Sequence, residues 1–303
     1  MKKLLAAALT LSLAMTMLTA CGNGGKEAAE DQASQNQEVQ AEQETEQEAS
    51  GTEEGEGTQA APKTEEEAVQ EQETGTSEAL SDGVLNVGTN AEFPPFEYVD
   101  DNGEPDGFDM ALVKAIGEKL GVEVTVENME FDSLVASIGN KIDIAAAGMT
   151  VTPERSQTVD FSDTYYEAVQ FVILPADSEI AQASDLEGKT IGVQLGTTGD
   201  FTAEELTENV SRYNKAVDAV NDLINGRVDC VIVDKNPALV FESRFEGKVV
   251  AVDGAQFGFE PEEYAIAIPK GDTALADQIN TALEEIKADG TFDELVKTYI
   301  EAE

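Results

Sequence analysis

The stretch Ile142-Asp143-Ile144-Ala145-Ala146-Ala147-Gly148-Met149-Thr150-Val151-Thr152-Pro153-Glu154-Arg155 runs from apolar residues through a glycine into a polar loop. A short apolar run stopped by glycine fits a strand buried on both faces, as in a parallel sheet. Thr152-Pro153 reads as a helix start, with threonine at the cap and proline in the first turn. Upstream, residues 84–88 read as a strand. Phe108, Ala111, Leu112, Ala115, Ile116 and Leu120 then recur at helical spacing, and Gly121 stops that helix. Residues 122–126 alternate as a second strand, and Leu134, Val135 and Ile138 mark a short helix. This order predicts a parallel sheet with right-handed crossovers.

Downstream the order repeats without repeating the sequence. Residues 190–194 and 228–233 read as strands, and 201–206, 216–223 and 238–245 as helices. Two terminal helices follow, the first lined by Leu275, Ile279, Leu283 and Ile286, the second by Phe292, Leu295, Val296 and Tyr299. Segments 169–174 and 264–268 are extended, apolar and flank the second series. They predict two strands crossing between lobes, a hinge. The expected division is lobe 1 over 82–172 and 264–303, and lobe 2 over 173–263. The C-terminal ends of both sheets would then face one cleft, where open α/β sheets bind ligands.

Composition narrows the chemistry. The 303 residues hold 62 acids against 18 Lys and Arg, a net charge of -44, so a nucleic-acid partner is not expected. Histidine is absent, which excludes His-based triads and His-ligated metals within this chain. The two cysteines, Cys21 and Cys230, cannot make a zinc cluster. No cofactor and no metal are expected. The segment Asp100 to Asp106 carries Pro105 where a calcium loop of the EF-hand type needs glycine, and reads as a polar turn.

Residues 1–21 have a cationic start at Lys2-Lys3, an apolar run and Leu18-Thr19-Ala20-Cys21, the pattern of a secretory signal. Those last four residues resemble a bacterial lipobox. That resemblance implies lipidation at Cys21 and attachment to a membrane surface without a span. With Cys21 lipidated, no disulfide to Cys230 is expected. Residues 22–81 contain 17 acids, 2 Lys and no aromatic residue, and are expected to form a disordered, charged linker.

Several groups fall at predicted strand ends. Arg155 and backbone N–H groups near Thr150 suit a carboxylate, which arginine grips with two parallel bonds. The bland alternative pairs Arg155 with a surface acid. Gly196-Thr197-Thr198 opens a helix and also offers backbone donors; no Walker-type lysine follows. Asp234 suits an ammonium, or else caps the next helix. Phe93 and Phe131 offer ring faces, whereas Phe96 reads as core. A cation, an acid and two rings complement an amino-acid zwitterion, whose buried charges must both be paired.

From about Leu85 to Tyr299 the chain resembles solute-binding proteins of the polar amino acid family (family 3), which serve ABC importers. The resemblance rests on Phe93-Pro94-Pro95-Phe96-Glu97, Gly107-Phe108-Asp109, residues 147–155, Asp160-Phe161-Ser162-Asp163, Tyr165-Tyr166, Gly196-Thr197-Thr198 and Ala288-Asp289-Gly290-Thr291. It implies a two-lobed type II periplasmic-binding fold and a monomer that delivers an L-amino acid to an ABC transporter permease. It further implies that Arg155 with the Thr150 and Thr197 backbone holds the carboxylate, and that Asp234 and the Gly148 carbonyl take the ammonium. Phe93 and Phe131 would sandwich the side chain, and Asn90 and Gln194 would read it. Ala147, Met149 and Thr198 complete the expected ligand-binding set. Asn90 and Gln194 lean toward a neutral polar ligand such as glutamine. Two alternatives share the scaffold: an exported dehydratase of aromatic amino acid precursors, for which Glu92 is the candidate acid, and an amino acid sensor module.

Overall fold

The computed structural model describes residues 77–301. The signal sequence, Cys21 and residues 22–76 of the expected linker lie outside the described residues. Residues 77–81, expected to belong to that linker, are packed onto the fold. Ser77 donates through its backbone N–H to Gln278 Oε1 (3.0 Å) and through Oγ to Asp272 Oδ2 (2.7 Å). Leu80 is buried in the core, which a composition average over a polar segment could not reveal. Among the described residues no helix is long and apolar enough to cross a membrane.

Two five-stranded sheets share one plan. In the first the order is Glu123–Asn128, Val84–Thr89, Ile144–Ala145, Ala267–Pro269, Val159–Phe161. In the second it is Val210–Tyr213, Ile191–Gln194, Cys230–Asp234, Gln170–Pro175, Val249–Asp253. The first three strands of each are parallel, and the fourth runs antiparallel to its neighbours. Helix Phe108–Leu120 makes the first crossover and buries Leu112, Val113 and Ile116. Its end is set by Gly121 at φ 71°, the left-handed conformation a C-terminal glycine supplies. Helices Thr198–Leu206 and Ala216–Ile224 make the corresponding crossovers in the second lobe. Each fully buried Leu or Ile, such as Leu85, Ile144, Ile279 or Leu283, contributes roughly 1.5–3 kcal/mol.

The connection between lobes differs from expectation. The ladder is Tyr166–Ala168 paired antiparallel with Glu262–Tyr264. Gln170–Pro175 is already an interior strand of the second sheet, so the expected boundary between 172 and 173 falls inside a strand. Ala267–Pro269 likewise belongs to the first sheet. Both segments are continuous apolar runs, and apolarity does not record where the hydrogen-bonding partner changes. Tyr264 is fully buried in the ladder, its ring 5.2 Å from Phe96 and 5.7 Å from Tyr166. Phe96 is core, as its sequence context predicts. The helix expected after Thr152-Pro153 is a single 3-10 turn, Arg155–Gln157, with Thr152 Oγ1 accepting from the Arg155 N–H (3.2 Å). The Asp100 segment is a turn in which Asp100 accepts from the Asn102 and Glu104 N–H groups.

Candidate functional site

Parallel strands run their C-terminal ends toward the same side. Asn90 follows Val84–Thr89, residues 147–150 follow Ile144–Ala145, Thr197 follows Ile191–Gln194, and Asp234 ends Cys230–Asp234. These four strand ends surround a cavity. Its lining comprises Asn90, Phe93, Phe131, Ala147, Gly148, Thr150, Arg155, Gln194, Thr197, Thr198 and Asp234. Met149, expected among them, is turned away. Its side chain is fully buried beneath the sheet with Leu134, Ile142 and Val159, because neighbouring residues of an extended segment point to opposite faces.

Two loops depend on glycine. Gly148 has φ 52°, and a Cβ there would sit 3.1 Å from the Phe93 ring. Gly196 has φ 77°, and a Cβ there would sit 3.2 Å from Asp132 Cβ in the other lobe. The Gly148 N–H donates to Asp109 Oδ2 (2.8 Å), which also accepts from the Tyr165 hydroxyl (2.7 Å). Glu97 lies beside Asp109, fully buried, with neither carboxyl oxygen otherwise bonded among the described residues. Burial first, then the Asp109 charge, push Glu97 well above the usual carboxylate range. Burial pushes Asp109 up to about 6. A protonated Glu97 can donate its one O–H to Asp109 Oδ1, which has no other partner among the described residues. Its folded-state pKa is raised, so its contribution is complete below the unfolded value and is lost as pH rises through the folded one. Glu97→Gln keeps a donor and cannot ionise. Urea unfolding between about pH 5 and pH 8 should show wild type losing stability as pH rises and Glu97→Gln losing less. Parallel curves would refute the shared proton.

One end of the cavity is built on Arg155, which is buried. Its Nη1 donates to Thr150 O (2.6 Å) and its Nη2 to Gly196 O (3.0 Å) in the other lobe. It makes no ion pair with a described acid, so the surface-pair alternative fails. Its carbon Cζ lies 5.3 Å from the Phe131 ring centre, so Phe131 supports the guanidinium as well as lining the cavity. Burial lowers Arg155 to about 10, still far above neutrality. The Thr150 N–H has no acceptor among the described residues. At the opposite end Asp234 occupies the cap position of helix Lys235–Arg244 yet makes no side-chain cap bond. Its Oδ1 instead accepts from the Tyr264 hydroxyl at 2.6 Å. Burial, then the charge of Glu262, push Asp234 up to about 7.

Asn90 and Gln194 form a network of amides in the cavity wall. Asn90 Nδ2 donates to Met129 O (2.8 Å), and Gln194 Nε2 donates to Asn90 Oδ1 (2.9 Å) and Asn214 O (3.1 Å). Backbone carbonyls only accept, so these partners fix which way each amide points. Both Gln194 N–H donors and one of the two on Asn90 are spent within the wall, and Gln194 Oε1 is left as an acceptor beside the second Asn90 N–H. Glu92, expected at the cleft rim, forms an ion pair with Lys215 of the second lobe. Sequence reasoning missed Lys215, Glu262 and Tyr264, whose partners are remote along the chain and leave no local spacing signal.

Known proteins resemble the chain in sequence and fold. The arginine-binding extracellular protein ArtP of Bacillus subtilis is 36% identical over 225 residues, covering 72% of this chain and 87% of ArtP. An ancestral arginine-binding protein bound to arginine is 40% identical, with a TM-score of 0.68 over 72% of this chain and 98% of that one. An ancestral arginine-binding protein bound to glutamine is also 40% identical, with a TM-score of 0.67 over 72% and 97%. The fold is the type II periplasmic-binding fold. Residues 85–302 match the sequence pattern of the bacterial extracellular solute-binding proteins, family 3, and the chain belongs to that family.

Proposed function

We propose that this protein captures an L-amino acid whose side chain ends in N–H donors, L-arginine first, and delivers it to the permease of an ABC importer. The observation that carries the reading is the placement of Arg155 and Asp234 on one cavity, where they would pair both ends of a zwitterion. The Thr150 and Thr197 backbone would assist Arg155, and the Gly148 carbonyl would assist Asp234. Phe93 and Phe131 would enclose the side chain. Its N–H groups would meet the acceptor left by Gln194 and Asn90, and relatives named for arginine support that choice. Glutamine is the second reading. It is favoured by the amide at Asn90 and by Lys215 neutralising Glu92.

The mechanism is lobe closure about the Tyr166–Ala168 and Glu262–Tyr264 ladder, with ligand shifting the population toward closed. The family is one of binding proteins, and no reaction is assigned to the chain. Export, lipid attachment at Cys21 on the outer face of the membrane, and a monomeric state complete the proposal. A thermal-shift panel of the standard L-amino acids tests the ligand. Arginine should give the largest saturable rise, with a dissociation constant of about a micromolar or tighter. A larger shift from glutamine would select the second reading, and no shift from any amino acid would overturn both.

A further inference from the structure

Glu262 lies on the inter-lobe ladder and does not line the cavity. Its Oε2 accepts from Thr150 Oγ1 of the first lobe and Thr198 Oγ1 of the second, both at 2.7 Å. Gln170 Nε2, on the first strand of the second sheet, bonds Thr198 Oγ1 at 3.1 Å and approaches Glu262 Oε2 at 3.5 Å. One carboxylate oxygen therefore ties a residue from each lobe to the strand about which the lobes turn. The two threonines are cavity-lining residues separated by 48 positions, and Glu262 reaches them from behind. The arrangement is made only when the lobes approach, because the Thr150 loop and the Thr198 helix start belong to different sheets.

We propose that Glu262 is a closure latch: a hinge-borne acceptor that holds the two threonine hydroxyls together and so stabilises the closed cleft without touching ligand. A second consequence follows from hydrogen-bond direction. A hydroxyl has one proton, and both protons are committed to Glu262, so the threonines face the cavity with lone pairs and backbone N–H groups. The ligand carboxylate is then left to Arg155 and to those N–H groups. The charge of Glu262 also faces Arg155 and Asp234 across the same space, favouring the charged guanidinium and opposing the charged Asp234. A competing role, in which Glu262 takes the place of the ligand carboxylate, predicts the opposite sign.

The proposal rests on the amino-acid-binding reading only for its ligand arm, so the test has two. In the first, stopped-flow binding of L-arginine is compared for wild type, Glu262→Gln and Glu262→Ala. Glu262→Ala should weaken binding about tenfold, almost all of it in a faster off-rate, since a closed-state contact forms after encounter. Glu262→Gln keeps an acceptor oxygen at the same reach and should recover most of the loss. Tighter binding in Glu262→Ala would overturn the latch in favour of competition, and equal rates in all three would overturn it outright. In the second arm, spin labels at exposed Lys114 and Glu205, one on each lobe, are read without ligand in a Cys21→Ser background. Glu262→Ala should shift the label separation toward longer distances, with Glu262→Gln between it and wild type. Superimposable distributions would refute the latch. Failure of wild type to bind any amino acid, with this shift still present, would refute the ligand assignment alone.

Discussion

Replacing Arg155 with alanine is expected to abolish measurable amino-acid binding, with a loss of roughly two to three orders of magnitude in affinity, since a buried charge left without its partner costs about 3–5 kcal/mol. The guanidinium is held within its own lobe by Thr150 O and the Phe131 ring, so it is already aimed before ligand arrives, and Gly196 O joins it from the other lobe on closure. Arg155→Lys should fail almost as badly. An ammonium is a point charge that cannot span two carbonyls and a carboxylate at once, and it is more costly to desolvate than a guanidinium. Calorimetric titration with L-arginine, alongside melting of the ligand-free chain, separates binding from folding. The ligand-dependent rise in melting temperature should vanish while the ligand-free melting temperature moves by only a few degrees. A retained, saturable rise in Arg155→Ala would remove the guanidinium from the site.

The same residue illustrates what can be read from sequence and what cannot. Its place beyond a glycine-ended buried strand is a local pattern, and 11 of the 12 positions expected to bind ligand line the cavity. Met149 failed because the expectation took a whole loop, although alternation along an extended chain sends one residue inward for each that faces out. The helix expected from Thr152-Pro153 stopped after one 3-10 turn, so the proposed ligand carboxylate would meet a side chain and loop N–H groups, with no long helix dipole behind them. The ladder was misplaced by a few residues because apolar runs at 169–174 and 264–268 signal burial and carry no information about pairing. Glu262 was invisible for a deeper reason. Its partners lie 112 and 64 positions away, and an acid in a chain with 62 of them gives no signal until the fold brings two threonines to it.

The second large effect concerns Asp234 and carries a pH signature. Asp234→Asn should cost about two orders of magnitude or more, since the ligand ammonium would lose its only charged partner in the cavity lining. In wild type the carboxylate is raised to about 7 by burial and by Glu262, and the Tyr264 hydroxyl opposes that rise by donating to it. The ligand ammonium requires the ionised form, so protonation competes with binding. Affinity should therefore be nearly constant above about pH 8 and fall as pH drops, being roughly tenfold weaker at pH 6. At about pH 7 each ligand bound should release about half a proton, measurable as a dependence of binding enthalpy on buffer ionisation. Arg155, at about 10, does not titrate in this window. The Glu97–Asp109 pair does, with Asp109 at about 6, so the profile is also recorded in Glu97→Gln. Tyr264→Phe provides the decisive control. Removing the hydroxyl removes a bond that favours the carboxylate, so the midpoint should move to higher pH in that variant and stay in place in Glu97→Gln. A flat affinity from pH 6 to 8, or a midpoint that follows Glu97 and ignores Tyr264, would assign the titration to a different group and detach Asp234 from the ammonium.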